Sequence, residues 1–158
     1  MRCSLAGMRL SLQVQYAICG VFDLAYNGDG GAPIQVRVIG ERQSIPPRYL
    51  EQIFQRLRRA RLVSGKRGPG GGYVLARPAA EITLRDIVEA VEGPLDRMLG
   101  AGPPPRGPRV PFRPSFLWKR LADRVVNALE EVTLERLCRE AARDAVKRAQ
   151  DDSHSYVI

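Results

Sequence analysis

The strongest constraint on the fold is one amphipathic segment that spans residues 46–62 and reads PPRYLEQIFQRLRRARL. Its apolar residues Leu50, Ile53, Phe54 and Leu57 recur at positions i, i+3, i+4 and i+7, the spacing that places side chains on one helical face. Pro47 is compatible with a helical start, because proline is tolerated in the first turn of a helix. The segment is therefore predicted to be a helix that buries one face and exposes polar side chains on the other.

Two further helices are predicted before this segment. The first runs from Ser11, whose side chain can cap it, to about Asn27, where a glycine-rich stretch ends it. The second covers residues 36–43, and the sequence Ser-Ile-Pro-Pro at residues 44–47 separates it from the long amphipathic helix. A short helix, a tight turn and a longer helix with a polar outer face are typical of a helix-turn-helix.

A β-hairpin and another helix are predicted next. Residues 62–64 and 73–75 flank the glycine-rich segment 65–72, a pattern that indicates two short strands around a turn. The following helix spans residues 84–91, with Thr83 as its cap. A hairpin directly after a helix-turn-helix would form a wing.

The C-terminal third begins with a change of composition. Residues 94–114 contain seven of the twelve prolines, which predicts a loop or linker without helix or strand. A long helix is predicted from Phe116, and its apolar residues alternate spacings of three and four, as in a heptad seam. We interpret this stripe as a dimer contact, and an ordinary helix that folds back onto its own domain is the alternative. The seam consists of Trp118, Leu121, Val125, Ala128 and Val132.

Charge points to a nucleic-acid partner. The net charge is +8, and residues 42–67 contain eight basic residues but only one acidic residue, Glu51. Because this basic segment coincides with the predicted helix-turn-helix and wing, double-stranded DNA is the predicted partner. A solvated charged face is the general alternative for such a run.

Particular side chains are predicted to contact DNA. Arg48 and Gln52, one helical turn apart, are expected to reach base edges in the major groove, and Arg67 is expected to enter the minor groove. Tyr49 is expected to contact a phosphate or a thymine methyl group, with packing as the alternative. Glu51 is expected either to accept from cytosine amino groups or to interact with Gln55 or with the amino-terminal dipole of its own helix. The full set from these two elements is Arg48, Tyr49, Glu51, Gln52, Arg56, Lys66 and Arg67.

Other functional classes lack sequence support. The sole histidine, His154, stands near the C-terminus, and no nucleophile and base are paired, so no catalytic residues are assigned. Cys3, Cys19 and Cys138 lack metal-binding spacing, so no metal site is assigned either. No stretch approaches the ~20 apolar residues of a membrane span, and the N-terminus does not fit a signal peptide. These features predict a cytoplasmic protein without membrane contact.

The sequence resembles the IscR-like winged-helix regulators, also called the Rrf-two family, over roughly residues 8–137. The motifs that carry the resemblance are MRLS, GERQ, YLEQIF with RLRR, LVSGKRGPGGGYVLARP, EITLRDIVEAVEG, and FLWKRL with VTLERL. The resemblance implies a homodimer that represses transcription, and DNA contacts at Arg48, Tyr49, Glu51, Gln52 and Arg67. It adds a backbone contact at Arg9. The expected fold class is mostly α: a winged helix-turn-helix with a small β-hairpin wing and a long C-terminal dimerisation helix.

The resemblance also sets the expected domain boundaries. Residues 8–93 would form the DNA-binding domain, 94–115 a proline- and glycine-rich loop, 116–138 the dimerisation helix and 139–158 a charged tail that ends in a fraying helix and disorder. Residues 1–7 would be an extension, and either Met1 or Met8 is the expected start. The family often has glycine where Ser44 and Arg61 stand, so these residues are expected to be strained by about 1 kcal/mol if the backbone is left-handed there.

The expected signal-sensing loop departs from the family pattern. Cluster-binding members carry three cysteines six residues apart and a histidine three residues after the last. The matching positions here are Gly100, Arg106, Phe112 and Ser115, which are poor iron ligands. We therefore expect no cofactor and a response to a small-molecule effector, a protein partner or thiol redox state. The alternative functions are an interaction protein with weak DNA binding and an iron–sulfur or redox sensor with non-standard ligands.

Overall fold

The computed structural model describes residues 10–28, 31–101 and 114–149. These described residues are mostly helical with one two-stranded antiparallel sheet, so the predicted fold class is confirmed. In chain order the elements are α1 (Leu12–Asn27), α2 (Val36–Gln43), α3 (Pro47–Arg59), β1 (Val63–Lys66), β2 (Gly72–Leu75), a 3₁₀ turn (Ala79–Glu81), α4 (Leu84–Glu92), α5 (Leu95–Met98), α6 (Ser115–Glu130) and α7 (Leu134–Arg143).

Helix α1 is the central element of the N-terminal half of the chain. It begins as predicted at Ser11, whose Oγ accepts from the backbone N–H of Val14 at 3.2 Å. Helix α3 approaches it closely: a Cβ placed on Gly20 would lie 2.9 Å from the Phe54 ring. The buried apolar residues of α1, α2, α3 and α4 merge into one core, and α3 contributes Leu50, Phe54 and Leu57 with no exposed surface.

The turn of the helix-turn-helix requires a left-handed residue. Ser44 follows α2 with φ 54° and ψ 39°, and its backbone N–H donates to the carbonyl of Gly40. Arg61, after α3, also has a positive φ of 58°. Both positions where the family often has glycine are therefore left-handed in this chain, and a Cβ is unfavourable in that conformation.

Ser44→Gly is expected to stabilise the protein by about 0.5–1 kcal/mol, because relief of the left-handed strain exceeds the added entropy of the unfolded chain. Urea unfolding at an unchanged m-value would measure this gain. Ala60→Gly is the matched control, since Ala60 is exposed and has an ordinary φ of −78°. Equal destabilisation by both substitutions would contradict the assigned strain.

The wing packs directly on the helix-turn-helix. Strands β1 and β2 pair antiparallel from Val63 opposite Leu75 to Lys66 opposite Gly72. An isolated bridge joins Ile34 to Tyr73, and the Tyr73 ring lies 4.9 Å from the Phe54 ring, measured between centroids. These contacts fix the base of the hairpin relative to α3.

Helix α5 corrects the expectation that residues 94–114 contain no helix. Pro94 precedes the first residue of α5, where its fixed φ favours a helical start, and residues 95–101 lack proline. Leu95 is buried in the core, which supplies the tertiary contact that holds this single turn. The remainder of the predicted loop, 102–113, lies outside the described residues.

The predicted dimerisation helix, 116–138, is two helices in the structure. Helix α6 ends at Glu130, and Thr133 caps α7 by accepting at Oγ1 from the Arg136 N–H at 3.2 Å. Between the two helices, the carbonyl of Val132 accepts from Leu84 N–H at 2.9 Å. This long-range pairing keeps Val132 outside α6, so it is not part of a continuous helical seam.

Residues 139–149 of the predicted tail pack against the rest of the domain rather than forming a fraying end. Helix α7 continues to Arg143, and the segment after it returns to α1. The Tyr26 hydroxyl donates to the carbonyl of Val146 at 2.8 Å, and Ala149 N–H donates to Asn27 Oδ1 at 2.8 Å. Residues 150–158, with His154, lie outside the described residues.

Candidate nucleic-acid interface

The polar face of α3 is the centre of the candidate interface. Leu50, Ile53, Phe54 and Leu57 all point into the core, so the opposite face is fully presented to solvent. The residues at its apex follow the helical spacing i, i+4, i+7 and i+11 and are all exposed: Arg48, Gln52, Gln55 and Arg59. Prediction from the sequence assigned the first two to DNA. Gln55 and Arg59 were missed, although their helical spacing would have found them.

Tyr49 and Glu51 lie on either side of this apex. Tyr49 is 59% exposed, so its side chain is not part of the core. Glu51 is exposed, and its carboxylate makes no hydrogen bond or ion pair with another described residue. The alternative pair between Glu51 and Gln55 is therefore not formed. The side chains of Tyr49 and Glu51 are both accessible to a ligand.

Arg56 has internal partners that the sequence did not indicate. Its Nη1 donates to Gln13 Oε1 at 2.8 Å and to the carbonyl of Val91 at 3.0 Å. The guanidinium therefore ties α3 to α1 and to the end of α4. We interpret Arg56 as a positioning residue of the recognition helix rather than as a free DNA contact.

The wing tip presents Lys66 and Arg67, both exposed. Gly68 and Gly70 have positive φ values of 95° and 70°, and Gly71 N–H donates to the carbonyl of Gly68 at 2.9 Å. Glycine tolerates these angles without strain, so the glycine run allows a tight tip. Arg9, the remaining predicted contact, lies outside the described residues.

A basic cleft lies between the end of α3 and the base of the wing. Its volume is about 510 Å³, and its lining residues are Arg58, Arg61, Val63, Ser64, Gly65, Ala76 and Arg77. Arg77 pairs with Asp86 at 3.3 Å, whereas within the described part of the chain neither Arg58 nor Arg61 has a carboxylate partner. From the sequence, Arg58 and Arg61 were recognised only as members of the charged run 42–67, because their convergence with Arg77 depends on the hairpin folding back beside α3.

A buried ion pair holds the helix-turn-helix in place. Asp23 of α1 is 1% exposed, and its Oδ2 accepts from Arg42 Nε at 3.1 Å and from Gln43 Nε2 at 2.9 Å. Arg42 Nη2 also donates to Asp23 Oδ1, so the contact is bidentate. Both partners belong to the end of α2, and the pair therefore fixes α2 on α1. Our sequence reasoning did not single out Asp23, although a carboxylate on an apolar helix face is a usable signal.

Helix α6 has two distinct apolar faces. Ala122 is fully buried, and Val126 and Leu129 pack against the core, so α6 does fold onto its own domain. The neighbouring stripe remains uncovered: Trp118 is 48% and Leu121 42% exposed. The alternative, a helix that folds back onto its own domain, is therefore observed for one face of α6, and the dimer contact stays a prediction for the other face. Of the predicted seam, Val125 is half-buried and Ala128 is exposed.

The residues present do not fit an iron–sulfur cluster. Gly100 has no donor side chain, Arg106 and Phe112 lie outside the described residues, and none of the four matching residue types is a thiolate, imidazole or carboxylate. Cys19 and Cys138 are on α1 and α7, far from that loop in the chain, and the described residues hold no group of three His, Cys, Asp or Glu side chains suited to a metal.

The two described cysteines are half-buried thiols with raised pKa values. Burial raises the pKa of the Cys19 thiol above its ordinary value. Burial is also the main reason that the pKa of the Cys138 thiol is raised. A raised pKa lowers the thiolate fraction near neutral pH, which disfavours a redox-sensing role for either residue.

Comparison with protein families places these features among known regulators. A family model named Rrf2, described as an iron-dependent transcriptional regulator, matches residues 10–140. The transcriptional regulator IscR of Cronobacter sakazakii is 36% identical over 150 residues, which cover 93% of this chain and 91% of that protein. IscR of Escherichia coli is 40% identical over 129 residues, or 80% of this chain and 78% of that protein.

Solved structures give the same result. IscR of T. potens superposes with a TM-score of 0.73 at 28% identity and covers 93% of this chain and 98% of its own. CymR of B. subtilis, titled the global cysteine regulator, superposes with a TM-score of 0.69 at 31% identity over 84% of this chain and 98% of its own. Among the described residues, no helix has the length and apolar character needed to cross a membrane.

Proposed function

Since the chain belongs to the Rrf2 family and is a DNA-binding transcriptional regulator rather than an enzyme, we propose that it is a homodimeric repressor of a palindromic operator. Helix α3 reads base edges in the major groove, and the wing enters the adjacent minor groove. The protein works in the cytoplasm, without an iron–sulfur cluster. The observation that carries the proposal is the exposed polar face of α3, seated beside a basic, glycine-rich wing.

The residue types on the exposed face of α3 support base reading. Arg48 and Gln52 are exposed on the same face, and neither is held by another described side chain. Arginine matches the acceptors of guanine and glutamine matches adenine. Arg56 ties α3 to α1 and α4 through its hydrogen bonds to Gln13 and Val91, and these bonds hold α3 and its base-reading side chains in a fixed position.

The uncovered stripe of α6 supports the homodimer. Trp118 and Leu121 are large apolar side chains that are more than 40% exposed on a helix whose other apolar face is already packed. The same stripe of a second copy would cover them in a twofold contact. Dimers of this class read two half-sites separated by about one DNA turn or a multiple of it, which explains the proposed palindrome.

Selection of bound duplexes from a random pool would test the proposal. We expect an enriched motif with twofold symmetry when the full chain is used. Recovery of random sequence, or of a motif without symmetry, would contradict the proposed homodimer on a palindrome.

Substitution of Gln52 and of Arg67 should have different effects. Gln52→Ala is expected to remove about 1–3 kcal/mol of discrimination at one base pair per half-site, with a smaller change in overall affinity. Arg67→Ala is expected to weaken binding to all duplexes, because it removes a positive charge from the part of the wing that meets the DNA backbone and groove. Fluorescence anisotropy with the selected duplex and its single-base variants would measure both. Equal losses on every duplex for Gln52→Ala would count against base reading.

The basic cleft is proposed to receive the phosphate backbone between the two grooves. Arg58→Gln is expected to reduce the slope of log affinity against log salt by about 1, with unchanged sequence preference. The control is Arg143→Gln, which also removes one positive charge but does so at an exposed position on α7, outside the cleft. Identical slopes for the two variants would show that the cleft does not contact phosphate.

A further inference from the structure

A second cavity lies between α1 and α3, next to the base-reading face. Its volume is about 310 Å³, at the lower end of the range for small-molecule sites, which is about 300–1,000 Å³. The residues that line it are Leu12, Gln13, Tyr16, Tyr49, Gln52, Ile53 and Arg56. It is distinct from the basic cleft beside the wing, with which it shares no residue.

The lining of this cavity specifies the chemistry of a ligand. Four of the seven lining residues are apolar or aromatic, namely Leu12, Tyr16, Tyr49 and Ile53, and the other three are Gln13, Gln52 and Arg56. Ile53, which is 2% exposed, is the most buried of the apolar residues. Arg56 is the single charged residue in the lining, and no carboxylate lines the cavity to neutralise it. Only Nη1 of Arg56 is used in the hydrogen bonds to Gln13 and Val91, so its remaining N–H groups can serve a ligand. A small aromatic or branched aliphatic carboxylate fits this lining, because its apolar part can pack on the apolar residues and its carboxylate can pair with the Arg56 guanidinium.

Occupancy of the cavity would interfere with DNA binding. Tyr49 and Gln52 line the cavity and also stand among the proposed DNA contacts. Arg56 lines it as well and positions α3 through its two hydrogen bonds. A bound anion would recruit the Arg56 guanidinium and place negative charge beside the surface that must meet phosphate.

We propose that this cavity is an effector site for a small aromatic or branched carboxylic acid, and that the acid releases the protein from DNA. Release from DNA rests on the proposed DNA-binding function. Binding of the acid to the cavity does not depend on that function. Ligand and DNA compete, because they share Tyr49 and Gln52.

Benzoate and phenylacetate are the probes, with benzyl alcohol as the uncharged analogue and chloride used to hold ionic strength constant. Saturation-transfer NMR on the full chain without DNA is expected to detect both acids. The dissociation constant for the selected duplex is expected to rise about tenfold when an acid is present at ten times its own Kd. Benzyl alcohol is expected to bind more weakly and to shift DNA affinity less.

Two matched variants locate the effect. Leu12 is 58% exposed at the rim, so Leu12→Trp is expected to block the cavity without disturbing the core, and to abolish the response to both acids. Leu10→Trp places the same side chain on a 46% exposed leucine that does not line the cavity, and its response should equal that of the wild type. Circular dichroism checks that both variants are folded.

Three outcomes would overturn the proposal: no binding of either acid at millimolar concentration, an undiminished response in Leu12→Trp, or equal competition by benzyl alcohol. If the wild type binds the acids but fails to bind any duplex specifically, the proposed function fails while the cavity is still a carboxylate site.

Discussion

Arg42→Ala is expected to lower the free energy of unfolding by about 3–5 kcal/mol, because it leaves the buried Asp23 carboxylate without its cation. Asp23 is 1% exposed, and two of the three hydrogen bonds that it accepts come from Arg42. Such a loss is a large share of the total stability of a domain, about 5–15 kcal/mol. Urea unfolding followed by circular dichroism would measure it.

Arg37→Ala is the matched control for this prediction. Arg37 is on the same helix and pairs with Glu41 at 3.3 Å, but both side chains are more than half exposed. Exposed pairs contribute about 0–1 kcal/mol, so the control should be nearly neutral. The double variant Asp23→Asn with Arg42→Gln should be less destabilised than Arg42→Ala, since it buries no unpaired charge. Similar losses for Arg42→Ala and Arg37→Ala would refute the role of the pair.

Leu121→Asp is expected to convert a dimer into a monomer of 17.6 kDa and to reduce operator affinity by a factor of about 10²–10⁴. The substitution places a carboxylate in the middle of the exposed stripe on α6. A dimer would then have to bury two carboxylates, one from each protomer. A monomer engages one half-site only, so it loses the advantage of linked binding. Light scattering after size exclusion and anisotropy with the selected duplex would measure the two effects.

Val146→Asp is the control for the dimer prediction. Val146 is 45% exposed, close to the 42% of Leu121, but it follows α7 rather than lying on the stripe. It should change neither mass nor affinity. The prediction is contradicted if Leu121→Asp remains dimeric, or if the wild type binds its operator with full affinity as a monomer.

The elements set by local signals were predictable from the sequence. The caps at Ser11 and Thr83, the 3.6-residue period of α3 and the glycine-rich turn of the wing all act within a few residues, and the caps and the period were found where expected. The wing turn is shorter than the predicted segment 65–72, because the strands extend to Lys66 and begin at Gly72. The polar face of α3 followed directly from that period. The left-handed backbone at Ser44 was anticipated through the family resemblance.

The features that were missed depend on residues distant in the chain. Arg56 contacts Val91, 35 residues away, and Asp23 contacts Arg42, 19 residues away, so neither partner could be inferred from spacing. The break between α6 and α7 arises where Val132 pairs with Leu84. A heptad pattern continues through that point in the sequence, and the Thr133 cap of α7 together with the tertiary pairing of Val132 interrupts the helix there.

The most direct test of the account is the ratio of affinities for the selected duplex and for a scrambled duplex of the same composition, at physiological salt. A sequence-specific repressor should prefer its operator by at least about 10³, and this preference should collapse in Gln52→Ala far more than the affinity for the scrambled duplex does. A ratio near one, with affinity that depends only on salt, would show that the basic face is a non-specific surface and would contradict the proposed repressor.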